Sequence, residues 1–342
     1  MREELKKSNF SMISRNLQRE IENNLKNSEQ TILFLNKVGH DSFTFCRSCG
    51  HVIKCEACDV AMTYHKNVDK LVCHYCGRTK KQVRICPVCH SKKIKEFGAG
   101  TEKLEEEVRR FFPSANILRM DSMTATNKSL YEKMYRDMKD NKIDILLGTQ
   151  MIAKGLDFKN VSLVGIISAD LSLNVGDFKA NETTFQLLTQ VSGRAGRDKI
   201  KGRVVIQTYR PDNFVIQAAK NNDYEAFYEN ELKLRKAFNY PPYTNLLTIR
   251  VVNESRIKAI DISKNLYIDI SKLLKNNNIE LIGPNPCKIA RIKNKFRYNI
   301  LIKVDDKGLS EVIDIINSLR IKYINKYKDT SFIPALNPVN IN

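Results

Sequence analysis

Eight of the nine cysteines fall between positions 46 and 89 as four C-x-x-C pairs: Cys46/Cys49, Cys55/Cys58, Cys73/Cys76 and Cys86/Cys89. Such a pair offers two sulfurs to one face of a metal ion, so two pairs complete a tetrahedral four-cysteine site and four pairs complete two. With no export signal in the chain, disulfides are disfavoured and the pairs read as zinc ligands. Redox chemistry would need one exposed pair at a helix start, and iron–sulfur clusters show less symmetrical spacing. Gly50 and Gly77 directly follow two of the pairs, as suits a tight turn whose backbone N–H groups point at sulfur. Spacing alone leaves the pairing open. Sequential pairs could share an ion, or the inner two could nest inside the outer two, and Cys55-x2-Cys58-x14-Cys73-x2-Cys76 has the usual zinc-ribbon length. His51, His65, His74 and His90 lie nearby. With four sulfurs available per ion, they are expected beside the metal or at the surface rather than on it.

Two further segments carry more than secondary structure requires: Gly148-Thr149-Gln150-Met151-Ile152-Ala153-Lys154-Gly155-Leu156-Asp157-Phe158 and Gln190-Val191-Ser192-Gly193-Arg194-Ala195-Gly196-Arg197. Taken alone, the second is also what a basic glycine-rich turn on a solvated face looks like. Its Q-x-x-G-R-x-G-R pattern resembles motif VI of superfamily 2 helicases, and G-T-Q-M-x-A-K-G-x-D-F resembles motif V. The resemblance implies the second RecA-like lobe of such a motor. Arg194 and Arg197, with Gln190, would then act on the γ-phosphate of ATP held by the first lobe. Gly155, Asp157 and Gly193 would lie at the nucleotide, and Thr149 and Lys154 at DNA. A fixed, forked guanidinium charge is what a transferring phosphoryl group needs, and such a finger contributes on the order of a thousandfold.

Together with the four C-x-x-C pairs, the runs F-L-N-x-x-G, C-R-S-C-G, G-T-E-K-L-E-E-E, T-F-Q-L-L-T-Q-V, Q-T-Y-x-P-D, D-Y-E-A-F-Y and Y-P-P-Y resemble the primosomal protein N′ (PriA) helicase family. The likeness runs through residues 1–342 and matches only the later half of that family. It implies nested sites, with Cys46, Cys49, Cys86 and Cys89 on one Zn2+ and Cys55, Cys58, Cys73 and Cys76 on another. It further implies part of an ATP-dependent 3′ to 5′ DNA helicase that binds stalled or forked DNA by structure and assembles the replication-restart primosome. Single-stranded DNA-binding protein and primosome proteins would be its partners.

Leu156 departs from the family, where His is expected, and so does Asn337-Pro338-Val339-Asn340, where an acidic V-D-P-like ending is expected. No G-x-x-x-x-G-K-[ST] occurs, since Gly98-Ala99-Gly100-Thr101-Glu102-Lys103 lacks the spacing and the hydroxyl, and no D-E-x-H follows. Without them nothing cradles the phosphates or holds Mg2+. ATP and Mg2+ are therefore expected only with a first lobe, carried by a separate chain if the motor is split, and the chain alone is expected to be inactive. Met1-Arg2-Glu3-Glu4 resembles the family's inter-lobe linker, as a split gene, an interrupted gene or a mis-assigned start would give. The rival reading is a non-catalytic zinc module that binds forked DNA or primosome proteins.

The elements that must position these residues follow from apolar spacing. Residues 31–36 read as a buried strand before the cysteines. Gly100-Thr101 opens a helix with Leu104, Val108 and Phe111 on one face, stopped by Pro113. Strands at 116–120, 143–147, 161–167 and 203–208 then alternate with helices at 128–138 and 182–191, which predicts a mostly parallel sheet covered on both faces. From Asn221 come a helix, a strand (246–252), a helix (257–274), two or three strands and a last helix (309–323). The expected fold is α/β: a RecA-like lobe 2 over 1–45 and 92–220, an inserted module over 46–91 holding two four-cysteine zinc sites, and a small α+β C-terminal DNA- or partner-binding domain over 221–342.

The 342 residues carry 57 Lys and Arg against 38 Asp and Glu, a formal charge of +19, which favours a polyanionic partner. Compositional drift toward Lys, Asn and Ile would give the same charge without any partner. Lys288, Arg291, Lys293, Lys295 and Arg297 fall within ten residues free of acids, interleaved with Phe296 and Tyr298, as suits phosphate contact with base stacking. A solvated strand pair whose aromatics are core reads equally well. Arg78, Lys80, Lys81 and Arg84 form a second candidate patch. No apolar run approaches the roughly 18 residues of a spanning helix, so a cytoplasmic protein without membrane contact is expected.

Overall fold

The computed structural model describes residues 1–35, 43–56, 61–65, 69–73, 77–97, 101–120, 128–149, 158–174, 176–196, 201–274, 279–292 and 294–338. The chain opens with helices α1 (Arg2–Lys6) and α2 (Arg15–Lys26) and strand β1 (Gln30–Leu35). The cysteine-rich region follows with β2 (Phe43–Cys46), β3 (Thr63–His65), β4 (Lys70–Val72), β5 (Thr79–Lys81) and β6 (Ile94–Phe97). Next come α3 (Thr101–Phe111), β7 (Ile117–Met120), α4 (Lys128–Lys139), β8 (Ile145–Gly148), β9 (Val161–Ile167), α5 (Asp170–Leu173), α6 (Ala180–Ser192) and β10 (Arg203–Ile206). The last stretch holds α7 (Phe214–Asn221), α8 (Tyr224–Ala237), β11 (Asn245–Asn253), α9 (Arg256–Leu273), β12 (Glu280–Ile292), β13 (Lys295–Val304), α10 (Leu309–Lys326) and β14 (Ser331–Leu336). Internal contacts divide the chain into two compact units. One comprises Met1–Ile53, Val83–Val175 and Lys179–Tyr228, and the other Lys54–Gln82, Gly176–Phe178 and Glu229–Asn342.

The first unit is built on a sheet in the order β10-β9-β1-β8-β7, every ladder parallel. The described residues of β1, β8 and β9 are buried throughout, as a parallel sheet between helix layers requires. Ile32, Phe34, Leu146, Val164 and Ile166 pack with Met134 and Met138 of α4 and Phe185, Leu188 and Val191 of α6. On the other side α2 lies on β1 and β9, and α3 on β7 and β8. The sequence pattern missed α2, because R-N-L-Q-R-E-I-E-N-N-L-K carries few apolar residues. Its buried face is Leu17, Ile21 and Asn24, and Asn24 bonds the Gln30 carbonyl (3.1 Å) and Thr31 Oγ1 (3.2 Å). Ser14 caps its start by accepting from the Leu17 N–H. On α3, Leu104 and Val108 are buried as expected. The next buried residue is Phe112 rather than Phe111, because the helix has ended and the chain swings one residue on.

The second unit contains the antiparallel sheet β12-β13-β11-β14. In chain order it is a β-α-β-β-α-β arrangement. Leu247, Ile249, Val251, Ile300, Ile302 and Val304 form its core with Ile262, Leu266 and Ile270 of α9 and Val312, Ile316 and Leu319 of α10. Strand β14 was not expected after the last helix; it contains Pro334, which a sheet tolerates at an edge. The meander β3-β4-β5 also belongs to this unit. Among the described residues no helix is long and apolar enough to cross a membrane.

Gly165 on β9 lets α2 approach the sheet. A Cβ there would stand 2.6 Å from a methyl of Leu33 and 3.0 Å from those of Leu17. Gly165→Val is therefore expected to destabilise the fold by about 1–3 kcal/mol through overpacking, read as a lowered denaturant midpoint at unchanged slope.

Candidate metal centre and arginine turn

The first unit brings Cys46, Cys49, Cys86 and Cys89 together, with all four Sγ atoms within 4.8 Å of one another. Cys46 and Cys89 sulfurs are 3.5 Å apart, and those of Cys49 and Cys86 3.6 Å. A tetrahedral zinc with Zn–S of about 2.3 Å has sulfur–sulfur edges of roughly 3.8 Å, so the cluster has the size the ion needs. No histidine joins it among the described residues. The two pairs come from turns of one design. Cys46 N–H donates to the His51 carbonyl (2.7 Å) and Gly50 N–H to the Cys46 carbonyl (2.8 Å). Cys86 N–H donates to Ser91 (2.9 Å) and His90 N–H to Cys86 (3.0 Å). This fold-back needs a left-handed residue four positions after the first cysteine, supplied by Gly50 (φ +74°) and His90 (φ +55°).

The thiols are set unequally. Burial pushes the Cys49 thiol up to about 12 and raises Cys46 as well. Burial also opposes ionisation of Cys86, but the N–H groups of Cys89 and Val88 and the neighbouring thiols outweigh it and bring the group to about 7.

Of the inner pairs, Cys55 and Cys73 are buried in the second unit, while Cys58 and Cys76 lie outside the described residues. Cys73 repeats the fold-back. Its N–H donates to Arg78 (2.9 Å), and Gly77 N–H, at φ +72°, donates to the Cys73 carbonyl (2.8 Å).

A buried support under the outer cluster escaped the sequence reading. Tyr209, 4% exposed, meets Phe45 edge-on at 4.9 Å and has Arg47 against its phenol. Its own N–H donates to Asp170 Oδ2 (2.9 Å), and Thr208 Oγ1 donates to Asp170 Oδ1 (2.9 Å). Burial pushes the Asp170 carboxyl above its ordinary range. The available signals were an acid three residues after a buried strand and a tyrosine in Q-T-Y-x-P-D.

Thr149, buried, directly follows β8 at its carboxyl end; Lys154, Gly155 and Asp157 lie outside the described residues. Gln190 is exposed on α6, and Gly193 caps that helix through its N–H to the Thr189 carbonyl (3.1 Å). Arg194 is half-buried in the turn that follows, and Arg197 is outside the described residues. Gly196, at φ +70°, donates to the Val161 carbonyl (3.0 Å), which fixes the turn at the amino end of β9. A Cβ on Gly202 would come within 2.3 Å of Ala195, so that glycine also admits the turn. Thr149 and the arginine turn thus lie at opposite ends of the parallel strands, about 20 Å apart at about 3.3 Å per residue over β9.

On the hairpin β12–β13 of the second unit, Lys295 is exposed and Arg297 half-buried, and Lys293 lies outside the described residues. Arg291 lies over the Phe296 ring at 5.2 Å, and Tyr298 is buried. The tyrosine therefore serves the sheet and is not free for stacking on bases. Arg78, Lys80, Lys81 and Arg84 are exposed.

Residues 236–333 match the family described as Primosomal protein N C-terminal domain, and residues 55–81 the PriA DNA helicase Cys-rich region (CRR) domain. The chain is 47% identical over 306 residues to the replication restart protein PriA of Bacillus subtilis, covering 89% of this chain and 38% of that protein. The Synechocystis protein of the same name is 40% identical (89% and 37%), and that of Borreliella burgdorferi 36% over 325 residues (94% and 48%). The chain spans less than half the length of these relatives.

The raised thiols set the pH dependence of metal binding. Zinc takes thiolates, so Cys46 and Cys49 must each release a proton to bind it, and lowering the pH returns those protons and expels the metal. With at least two protons displaced, zinc affinity at this cluster is expected to fall about a hundredfold from pH 8 to pH 7, measured by competition with a chromophoric chelator. A pH-independent affinity would contradict the thiol settings.

Proposed function

We propose that this chain, whose sequence is that of a C-terminal half of the PriA family of replication restart proteins, supplies the second motor lobe, zinc insertion and C-terminal domain of an ATP-dependent 3′ to 5′ DNA helicase. In this reading the RecA-like lobe comprises residues 1–45 and 92–220, the zinc insertion 46–91 and the DNA- or partner-binding domain 221–342. The helicase acts in the cytoplasm on single-stranded and forked DNA, with single-stranded DNA-binding protein and primosome proteins as partners. ATP and Mg2+ are held by a first lobe whose phosphate-binding motifs do not occur within these 342 residues.

The observation that supports the reading is that Thr149 and the turn carrying Arg194 lie at opposite ends of one parallel sheet. Arg194, with Arg197 beyond it, sits on a turn braced against β9, where a rigid cation can meet phosphates brought by the other lobe. Gln190 and Gly193 belong to the helix end that launches this turn, and Gly155 and Asp157 are assigned to the nucleotide by their place in the motif. Thr149 serves DNA at the other end of the sheet, Lys154 serves DNA by its place in the motif, and Lys293, Lys295 and Arg297 contact phosphates without reading bases. Two Zn2+ are bound, one by Cys46, Cys49, Cys86 and Cys89 and one by Cys55, Cys58, Cys73 and Cys76. The second site is supported by the Cys73 turn, which repeats the hydrogen bonds of the two turns around the outer cluster. When bound, each ion supplies structural cross-linking and leaves no open position for catalysis.

Native mass spectrometry of freshly reduced protein is expected to give two zinc ions per chain, and a count of one or none removes the second site. The isolated chain is expected to show no DNA-stimulated ATPase above background, and a first lobe supplied from a related helicase, in trans or fused before Met1, to restore turnover. In the restored motor Arg197→Ala is expected to lower turnover about a thousandfold, the usual order for an arginine finger, with little change in DNA affinity. ATPase from the isolated chain, or a restored motor indifferent to losing both Arg194 and Arg197, refutes the assignment. Fork binding with no restorable turnover favours the non-catalytic module.

A further inference from the structure

We infer that the outer metal site and the carboxyl ends of β9 and β10 form one coupled unit, with Tyr209 as the positioning residue that joins them. The inference rests on the zinc reading of Cys46, Cys49, Cys86 and Cys89 and goes beyond it. It assigns what holds that site to the motor body.

Tyr209 grips the Cys46–Cys49 turn at three places. Its ring packs on Phe45, the residue before the first ligand, at 4.9 Å. Its phenol faces Arg47, inside the turn. Its backbone and Cβ fill the space beside Gly50, where an added Cβ would lie 2.5 Å from the Tyr209 carbonyl oxygen and 2.8 Å from the Tyr209 Cβ. Glycine at position 50 therefore answers two demands at once, the left-handed backbone of the turn and the close approach of Tyr209.

Tyr209 is itself fixed from below. Its N–H and the Thr208 hydroxyl both donate to Asp170, which is 5% exposed at the start of α5. Thr208 Oγ1 in turn accepts from Arg210 N–H (2.9 Å). Ala169 N–H donates to the Gln207 carbonyl (3.0 Å), which ties the segments leaving β9 and β10 together. The Gln207 side chain takes the Ser14 N–H and gives to the Met12 carbonyl, both at 2.7 Å, and so adds the approach to α2. A chain of hydrogen bonds thus runs from the sheet to Tyr209, whose ring and backbone meet the turn that carries two ligands. Such networks hold one geometry because leaving any member unpaired is costly. Since thermodynamic coupling is reciprocal, metal bound above must favour the ordered strand ends below by the same factor with which that ordering strengthens metal binding.

The test uses the full chain loaded with 113Cd. The resonance that disappears in Cys89→Ser is assigned to the outer site. Tyr209→Ala and Asp170→Asn are expected to shift that resonance and to speed metal release from that site to a chelator by tenfold or more, the usual range for residues that orient ligands. Tyr209→Phe, which keeps the ring and the backbone, is expected to restore most of the wild-type behaviour. In the wild-type chain, stripping the metal is expected to raise hydrogen exchange of the Tyr209 amide at least tenfold while the Val251 amide in the second unit stays unchanged. Unchanged release in Tyr209→Ala, or unchanged Tyr209 amide protection on stripping, overturns the coupling. If Tyr209→Ala fails to fold, the wild-type exchange measurement alone decides. A wild-type chain with no resonance sensitive to Cys89→Ser refutes the zinc reading instead, so the two failures are distinguishable.

Discussion

The parallel sheet of the first unit is sealed between helices on both faces, and this constraint decides where anything chemical can happen. Strands β1, β8 and β9 are buried along their described lengths, so a polar side chain on them must be paired inside the protein. Thr31 is paired by Asn24, and Gln30 donates to the Met138 and Ile143 carbonyls. Only the strand ends remain for function. The amino end of β9 receives the arginine turn through Gly196, and the carboxyl ends of β8, β9 and β10 receive Thr149, Asp170 and Tyr209. One rigid slab thereby holds two surfaces at a fixed separation.

The cysteine turns solve a different problem, converging sulfurs on one point. Three turns use the same pair of hydrogen bonds around Cys46, Cys73 and Cys86. Each needs one left-handed residue, and glycine stands there in two of the three. Those two glycines are also points of close approach to the body of their own unit. Gly50 meets Tyr209 in the first unit, and Gly77 meets Asn285 in the second, where an added Cβ would lie 2.0 Å from its Oδ1. The cysteine-rich region is therefore not free-standing in either unit. Where no side chain fits, the turn can be pressed against a strand end or a sheet.

Charge is distributed less uniformly than +19 implies. Arginines tend to have local duties. Arg203 pairs with Glu20 (2.8 Å), Arg109 with Glu105 (2.9 Å), and Arg235 bonds Glu231 (2.9 Å) while stacking over Phe178 at 5.4 Å. Lys303, although on the C-terminal sheet, is buried against Glu280 and lies over the Tyr240 ring at 4.5 Å. Exposed lysines such as Lys6, Lys142, Lys258 and Lys322 make surface ion pairs, which contribute little because both partners stay solvated. Lys295 and Arg297 lie on one strand, and Lys295 also approaches a carboxylate, Glu254, at 3.9 Å.

The sequence by itself determined everything that depends on local period and on fixed chemical valence. Continuous apolar runs specified β1 and β9, helical spacing specified α4, α9 and α10, and four C-x-x-C pairs specified a thiolate metal region. Q-x-x-G-R-x-G-R marked the arginine turn, and the family resemblance named the nested cysteine pairing. What escaped was whatever a distant contact defines. Helix α2 has too few apolar residues to announce itself and exists because Leu17 and Ile21 find β1 and β9. Strand β14 exists because β11 offers it an edge. For Tyr298 the sequence left a stacking platform and a core aromatic equally open, and its burial in β13 decides for the core. For Tyr209 and Asp170 the local signals said nothing of their role, since their importance comes from standing beyond the ends of adjacent strands, with Tyr209 against Gly50, 159 residues away in the chain. Periodicity and valence are written residue by residue, whereas burial and close approach arise only when segments far apart in the chain compete for the same space.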